Sequence, residues 1–146
     1  MLAAMRAISV LVVFLAVTLA FGQITTPKKG SADRTAMMNA LRIPIQKDIG
    51  QKVQFKVDSL KMLGNWAFMK GAPIRPDGKE IDYSHTQYAE AVKAGAFGYG
   101  VFALFKKTRG KWNVVKYSLG ASDVPYVTWW RDYGAPKAIF DITEGG

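Results

Sequence analysis

The 146-residue chain contains no cysteine. This absence excludes disulfide bonds, a thiol nucleophile and the acylated cysteine of a bacterial lipoprotein. The fold must therefore be stabilised by a buried apolar core. A chain of this length suits one domain, which can bury about two thirds of the surface that its unfolded state exposes.

Histidine is almost absent too, because His85 is the only one. Paired with Asp82 it could act as a general base, since imidazole titrates near neutrality. A surface position just after Ser84, at the start of a helix, is the simpler interpretation. Asp77, Glu80 and Asp82 lack the ligand pattern and closing glutamate of a calcium loop. We therefore expect no catalytic residue, no metal and no cofactor, with a small hydrolase-like enzyme using His85 as the enzymatic alternative.

Long apolar runs are missing except near the start of the chain, where Arg6 precedes an apolar stretch from Ala7 to Phe21. That stretch is shorter than the roughly 17 to 25 residues that span a bilayer. Small residues at Ala20 and Gly22 occupy the two positions that a signal peptidase reads. Residues 1–22 therefore predict a cleaved signal peptide, export to the periplasm or medium, and no transmembrane segment after cleavage.

Acidic residues are few: 11 Asp and Glu stand against 20 Lys and Arg, for a net charge of +9. Cleavage would remove Arg6 and no acidic residue, so the exported chain would carry +8 and attract polyanions such as anionic envelope polymers. The densest cationic segment is KKTRGK, which supplies a candidate basic patch: Lys106, Lys107, Arg109 and Lys111. A solvated hairpin tip is the ordinary explanation of the same segment, and phosphate binding is the alternative. No DNA-binding motif occurs, so we expect no regular nucleic-acid partner.

The chain divides after the signal peptide into a tether and one domain. Residues 23–32 include proline and glycine without apolar periodicity, which predicts a flexible tether. Residues 33–146 form the predicted domain. Its first helix begins at Ser31 or Asp33, either of which can cap, and Pro44 predicts a kink or a new turn.

A β-hairpin is predicted next. The apolar residues of VQFKVDSLKML change phase near Asp58 and Ser59, which indicates a β-bulge. Gly64-Asn65 then supplies a two-residue turn that pairs Leu63 with Trp66.

A short helix and a second hairpin follow. Ser84 with Gln87 three residues later predicts a capping box and a helix. In the second hairpin, a three-residue loop over residues 108–110 is expected to pair Lys107 with Lys111.

Aromatic residues concentrate in DVPYVTWWRDYG, which predicts a helix of about two turns from Pro125 to Gly134. At helical spacing the aromatic side chains form one stripe: Tyr126, Trp129, Trp130 and Tyr133. We favour a structural stripe that closes over an apolar face of the sheet. An aromatic clamp for a ligand is the alternative.

A candidate interaction surface lies on the second face of the predicted sheet. Six apolar side chains rimmed by lysines compose it: Trp66, Phe68, Phe102, Leu104, Trp112 and Val114. An aromatic centre with a polar rim is typical of an interface, which suggests a homodimer or a protein partner. The competing interpretation is that the segment from Tyr126 to Phe140 covers this face within the same chain.

Together these patterns predict an α+β fold in the order α-β-β-α-β-β-α, with a bent antiparallel sheet of about four strands, an N-terminal helix and two short helices. The order looks like the cystatin-like and nuclear-transport-factor-like α+β rolls. The segments LRIPI, VQFKVDSL, GNWAFMKG and KWNVVKYSLGASDVP to WWRDYG are similar to a family of small exported bacterial proteins. This resemblance covers roughly residues 33–140 and implies a fold but no site residues. We expect an exported, non-enzymatic binding or interaction module, with a basic protein that binds envelope polyanions as an alternative.

Overall fold

The computed structural model describes residues 22–142 and confirms the α+β fold and the predicted order of elements. Apart from Gly22, the predicted signal peptide lies outside the described residues. The elements are α1 (Ala32–Ile49), β1 (Gln54–Leu63), β2 (Trp66–Ile74), α2 (Ala89–Lys93), β3 (Val101–Thr108), β4 (Lys111–Leu119) and α3 (Trp129–Tyr133), followed by one 3₁₀ turn (Lys137–Ile139).

The four strands form one antiparallel sheet in the order β1-β2-β3-β4, so β1 and β4 are its edges. The predicted bulge in β1 is confirmed, because the register shifts between Val57 and Ser59. The predicted turn is confirmed as well, since Leu63 pairs with Trp66. Both features follow from local signals. The change of apolar phase accompanies the bulge, and Gly64 adopts the φ of 58° in the turn.

The predicted register of the second hairpin is wrong by one residue. Thr108 pairs with Lys111 around a two-residue turn in which Arg109 and Gly110 have φ of 51° and 75°. Two successive positive φ angles make a turn whose twist matches the strands. A second bulge, between Leu104 and Phe105, then leaves Val115 unpaired.

This register moves two residues of the candidate interaction surface to the other side of the sheet. A slip of one residue reverses the face of every side chain up to the next irregularity. Trp112 and Val114 consequently pack in the core beneath α1, whereas Val115 packs on the second face, the side of the sheet away from α1.

Helix α1 lies over one face of the sheet and contacts β4. The Ser31 side chain caps it by accepting a hydrogen bond from the backbone N–H of Arg34 (3.3 Å). Pro44 lies inside the helix, which continues to Ile49, so no new turn begins there. Leu41 and Ile45 on either side are fully buried, and this packing compensates for the hydrogen bond that proline cannot donate.

The predicted capping box is wrong, because α2 begins only at Ala89. The Ser84 hydroxyl and backbone N–H both donate to Oδ1 of Asp82, at 2.5 and 2.9 Å. Asp82 thus engages Ser84 in a local turn of the kind that competes with helix capping.

The expected tether is corrected at two points. Thr25 exchanges two backbone hydrogen bonds with Met62 of β1, at 2.8 and 2.9 Å, and Pro27 is buried. The segment before α1 is therefore attached to the end of the edge strand.

Candidate anion-binding groove

The second face of the sheet is occupied by the chain itself. The structure brings four of the six predicted surface residues together there: Trp66, Phe68, Phe102 and Leu104. The C-terminal segment packs over them, with the Phe68 ring centroid 4.7 Å from that of Tyr126 and 4.6 Å from that of Phe140. Covering by residues Tyr126 to Phe140 is thus the interpretation that the contacts support, and the patch is core.

The aromatic stripe is structural in its first half. Tyr126 and Trp129 are 5% and 4% exposed within this cover, and Trp130 is half-buried. Tyr133 is exposed, so the stripe does not extend to it. In addition, α3 covers only Trp129–Tyr133 and a separate turn carries Tyr126, so the four aromatic residues do not lie on one continuous helix.

The candidate basic patch does not form one surface. Lys106 lies on the second face with its ammonium group 4.9 Å from the Trp66 ring centroid. Lys107, on the opposite face, pairs with Asp33 at 3.2 Å. Neighbouring residues of a strand point to opposite faces, which separates the two lysines. Only Arg109 and Lys111 remain together at the exposed tip.

His85 lies in a wide, open depression of about 770 Å³, to which Asp82 also contributes. Oδ1 of Asp82 accepts two hydrogen bonds from Ser84, and within residues 22–142 no hydrogen bond joins Asp82 to His85. Those bonds, with a smaller contribution from His85, lower the pKa of Asp82. Within residues 22–142 no group of acidic or histidine side chains could hold a metal ion.

A groove between α1 and the edge strand β1, here called the α1–β1 groove, has a different character. Its volume is about 370 Å³, and ten residues line it: Lys29, Gly30, Arg34, Thr35, Met38, Asn39, Arg42, Gln54, Phe55 and Val57. Three of these residues are cationic and none is acidic. The groove therefore concentrates positive charge in a concave surface, which favours anions.

Helical periodicity places the cations on one side of this groove. Arg34, Met38 and Arg42 recur at intervals of four residues along α1, beside the stripe that is buried on the sheet. From β1, Phe55 and Val57 contribute an apolar floor next to Met38. Cationic groups above an apolar floor can hold a ligand that has both anionic and aliphatic parts.

The Arg42 guanidinium is held in place without an acidic partner among residues 22–142. Its Nε donates to the carbonyl oxygen of Val53 (2.9 Å) and its Nη1 to Oδ1 of Asn39 (2.6 Å), while the Phe55 ring centroid is 6.0 Å away. Two of the five N–H donors are used, and both acceptors are uncharged. The charge and the remaining donors are available to a ligand.

Arg34 is bound more loosely, through one hydrogen bond of 3.4 Å from Nη1 to the carbonyl oxygen of Pro27. The ion pairs found in residues 22–142 include neither Arg34 nor Arg42. Arginine presents its donors in a planar fork that matches a carboxylate or a phosphate. The two arginines can thus bind such groups with little reorganisation at Arg42.

Sequence reasoning missed this site, because it followed the density of charge along the chain rather than around the helix. The signal was present in the spacing of Arg34 and Arg42, two turns apart on a helix that was predicted. Comparison with protein-family models, curated proteins and solved structures gives no match for this chain. The fold and the groove together define an α+β domain with a cationic groove beside an edge strand.

No helix within residues 22–142 combines the length and the apolar character needed to cross a membrane.

Proposed function

We propose that the protein is an exported binding module and that its α1–β1 groove takes the carboxylate or phosphate groups of a ligand. The observation that carries this proposal is the lining of the groove, with three cations and no acidic residue. The unneutralised guanidinium of Arg42 adds to it, since that group is oriented before any ligand arrives. Export is proposed from the short apolar stretch and small residues that precede Gln23.

The other predicted surfaces support binding less well. The second face is filled by Tyr126, Trp129 and Phe140, so a homodimer or a protein partner would have to displace them. At the hairpin tip, Arg109 and Lys111 offer only two exposed cations for an anionic envelope polymer. His85 is exposed and no hydrogen bond joins it to Asp82 within residues 22–142, which weakens the enzymatic alternative.

Isothermal titration with polyglutamate and with inorganic polyphosphate tests the proposal. The charged hydrogen bonds of Arg34 predict that Arg34→Gln weakens binding about tenfold or more. Arg109→Gln changes the net charge equally at an exposed site outside the groove, so it should weaken binding much less. His85→Ala should leave binding unchanged. Equal losses for the two arginine variants would mean that binding is diffuse and that the groove is not the site.

A further inference from the structure

Strand β1 is an edge of the sheet, and its outer side is open beside the α1–β1 groove. Among the residues that the structure describes, the sheet order places only β2 next to it. Thr25 occupies the outer side at Met62, near the hairpin turn. The stretch from Gln54 to Val57, part of which lines the groove, forms no backbone hydrogen bond on this outer side within residues 22–142. An open edge of this kind is a template for another strand.

The backbone groups that point outward can be assigned from their neighbours. Val53 directs its N–H to Oε1 of Gln46 (3.0 Å) and its carbonyl oxygen to Nε of Arg42 (2.9 Å), both away from β2. In an antiparallel strand, residues alternate between facing the partner strand and facing away. Phe55 and Val57 therefore face outward as well.

Proline in the neighbouring strand supports this assignment. Phe55 lies opposite Pro73 of β2, which has no N–H to donate. A proline fits a position whose pair exchanges no hydrogen bonds, so the N–H and carbonyl oxygen of Phe55 must point to the outer edge. Among residues 22–142, no hydrogen bond reaches these outward groups of Phe55 or Val57.

We infer that the ligand of the α1–β1 groove is an acidic peptide segment that binds in extended form as a fifth strand along β1. This inference rests on the proposed function, because the same cations would hold the ligand. Every second side chain of the added strand would point toward α1. Acidic side chains of the peptide at those positions would meet Arg34 and Arg42. Small aliphatic parts of those side chains would contact Met38.

Two other occupants fit less well. A phosphate polymer has no N–H groups for the outward carbonyl oxygens of Phe55 and Val57, so it would leave them unpaired. A second copy of the chain, paired edge to edge, would bring another set of the same cations to the groove, and like charges would oppose it. An acidic peptide supplies both the backbone partners and the opposite charge.

Amide hydrogen exchange followed by NMR tests the inference on the intact protein. The probe is an acetylated and amidated peptide of alternating glutamate and threonine. At about ten times its dissociation constant, it should slow exchange at Phe55 and Val57 about tenfold. The amide of Lys56, which pairs inward with Ala72, is the internal control and should be unaffected.

Matched peptides separate the contribution of backbone hydrogen bonds to binding from the contribution of charge. A peptide of the same sequence with N-methyl groups on alternate amides keeps its charge but cannot complete a ladder, and it should bind at least about tenfold more weakly. The peptide with lysine in place of glutamate should not bind. Arg34→Gln should reduce binding of the unmodified peptide, whereas Arg109→Gln should not.

Each contrary result has a distinct meaning. If the N-methylated peptide binds equally well, or if Phe55 and Val57 gain no protection, strand addition is wrong while anion binding in the groove stands. If protection of these amides rises with protein concentration alone, the occupant is a second copy and the peptide inference is overturned. If neither the peptide nor inorganic polyphosphate binds, the proposed function itself fails.

Discussion

Arg42 donates a hydrogen bond from Nε to the carbonyl oxygen of Val53 over 2.9 Å, which joins α1 to the residue just before the edge strand. Val53 is 2% exposed, so its carbonyl group has little access to water as an alternative partner. The same contact orients the guanidinium group in the α1–β1 groove. One interaction thereby stabilises the fold and prepares the site.

This double role predicts that substitutions of Arg42 and Arg34 have different effects on the stability of the fold. Arg42→Met keeps the aliphatic contact but leaves the Val53 carbonyl unpaired, so it should lower the free energy of unfolding by about 1 to 3 kcal/mol. Arg34→Met loses only a bond of 3.4 Å and should change stability by about 0.5 kcal/mol or less. Urea unfolding of both variants measures this difference. Equal destabilisation would contradict the structural role given to Arg42.

Asp33 links α1 to β4 and predicts a pH effect. The Trp112 indole N–H donates to its Oδ1 (2.8 Å) and Lys107 pairs with it, and these contacts lower the pKa of Asp33. A carboxyl group whose folded pKa is lowered adds stability above its unfolded pKa of about 3.9, and loses it as pH falls through the folded pKa.

Asp33→Asn should accordingly be less stable than the parent near neutral pH, and the difference should shrink as pH falls below about 4. Urea unfolding across this pH range provides the measurement. A difference that stays constant down to about pH 2 would show that the charge of Asp33 contributes nothing.

The C-terminal cover predicts a graded effect of the adjacent tryptophans. Trp129 is 4% exposed over the second face, so Trp129→Ala should destabilise the protein by about 3 to 5 kcal/mol. Trp130 is half-buried, so Trp130→Ala should lower the free energy of unfolding by less than Trp129→Ala does. Thermal or urea unfolding ranks the two variants. Unchanged stability with lost ligand binding in Trp129→Ala would instead favour the aromatic clamp.

Features encoded by a few neighbouring residues could be predicted from the sequence. The bulge at Asp58 follows from the phase change of the apolar residues, and the Leu63–Trp66 pair follows from Gly64-Asn65. The order of elements follows from periodicity and turn residues. These signals are local, so they need no knowledge of distant contacts.

The predictions of the second hairpin and of the capping box are wrong because one residue in each has a conformation or a hydrogen bond that the sequence pattern does not reveal. Arg109 adopts a positive φ that arginine rarely takes, which shortens the second turn and moves Trp112 to the α1 face. Asp82 accepts the hydrogen bonds of Ser84, which removes the predicted cap. The α1–β1 groove depends on long-range packing, so its cations could be located on the helix but not beside the edge strand.

Arginine side-chain NMR tests the central claim most directly, because each guanidinium reports its own surroundings. Titration with polyglutamate should shift the Nε–H signals of Arg34 and Arg42 in parallel with binding. The signals of Arg75, Arg109 and Arg131, which lie outside the groove, should move little. If the signal of Arg109 shifts as much as those of Arg34 and Arg42, the α1–β1 groove is not the binding site.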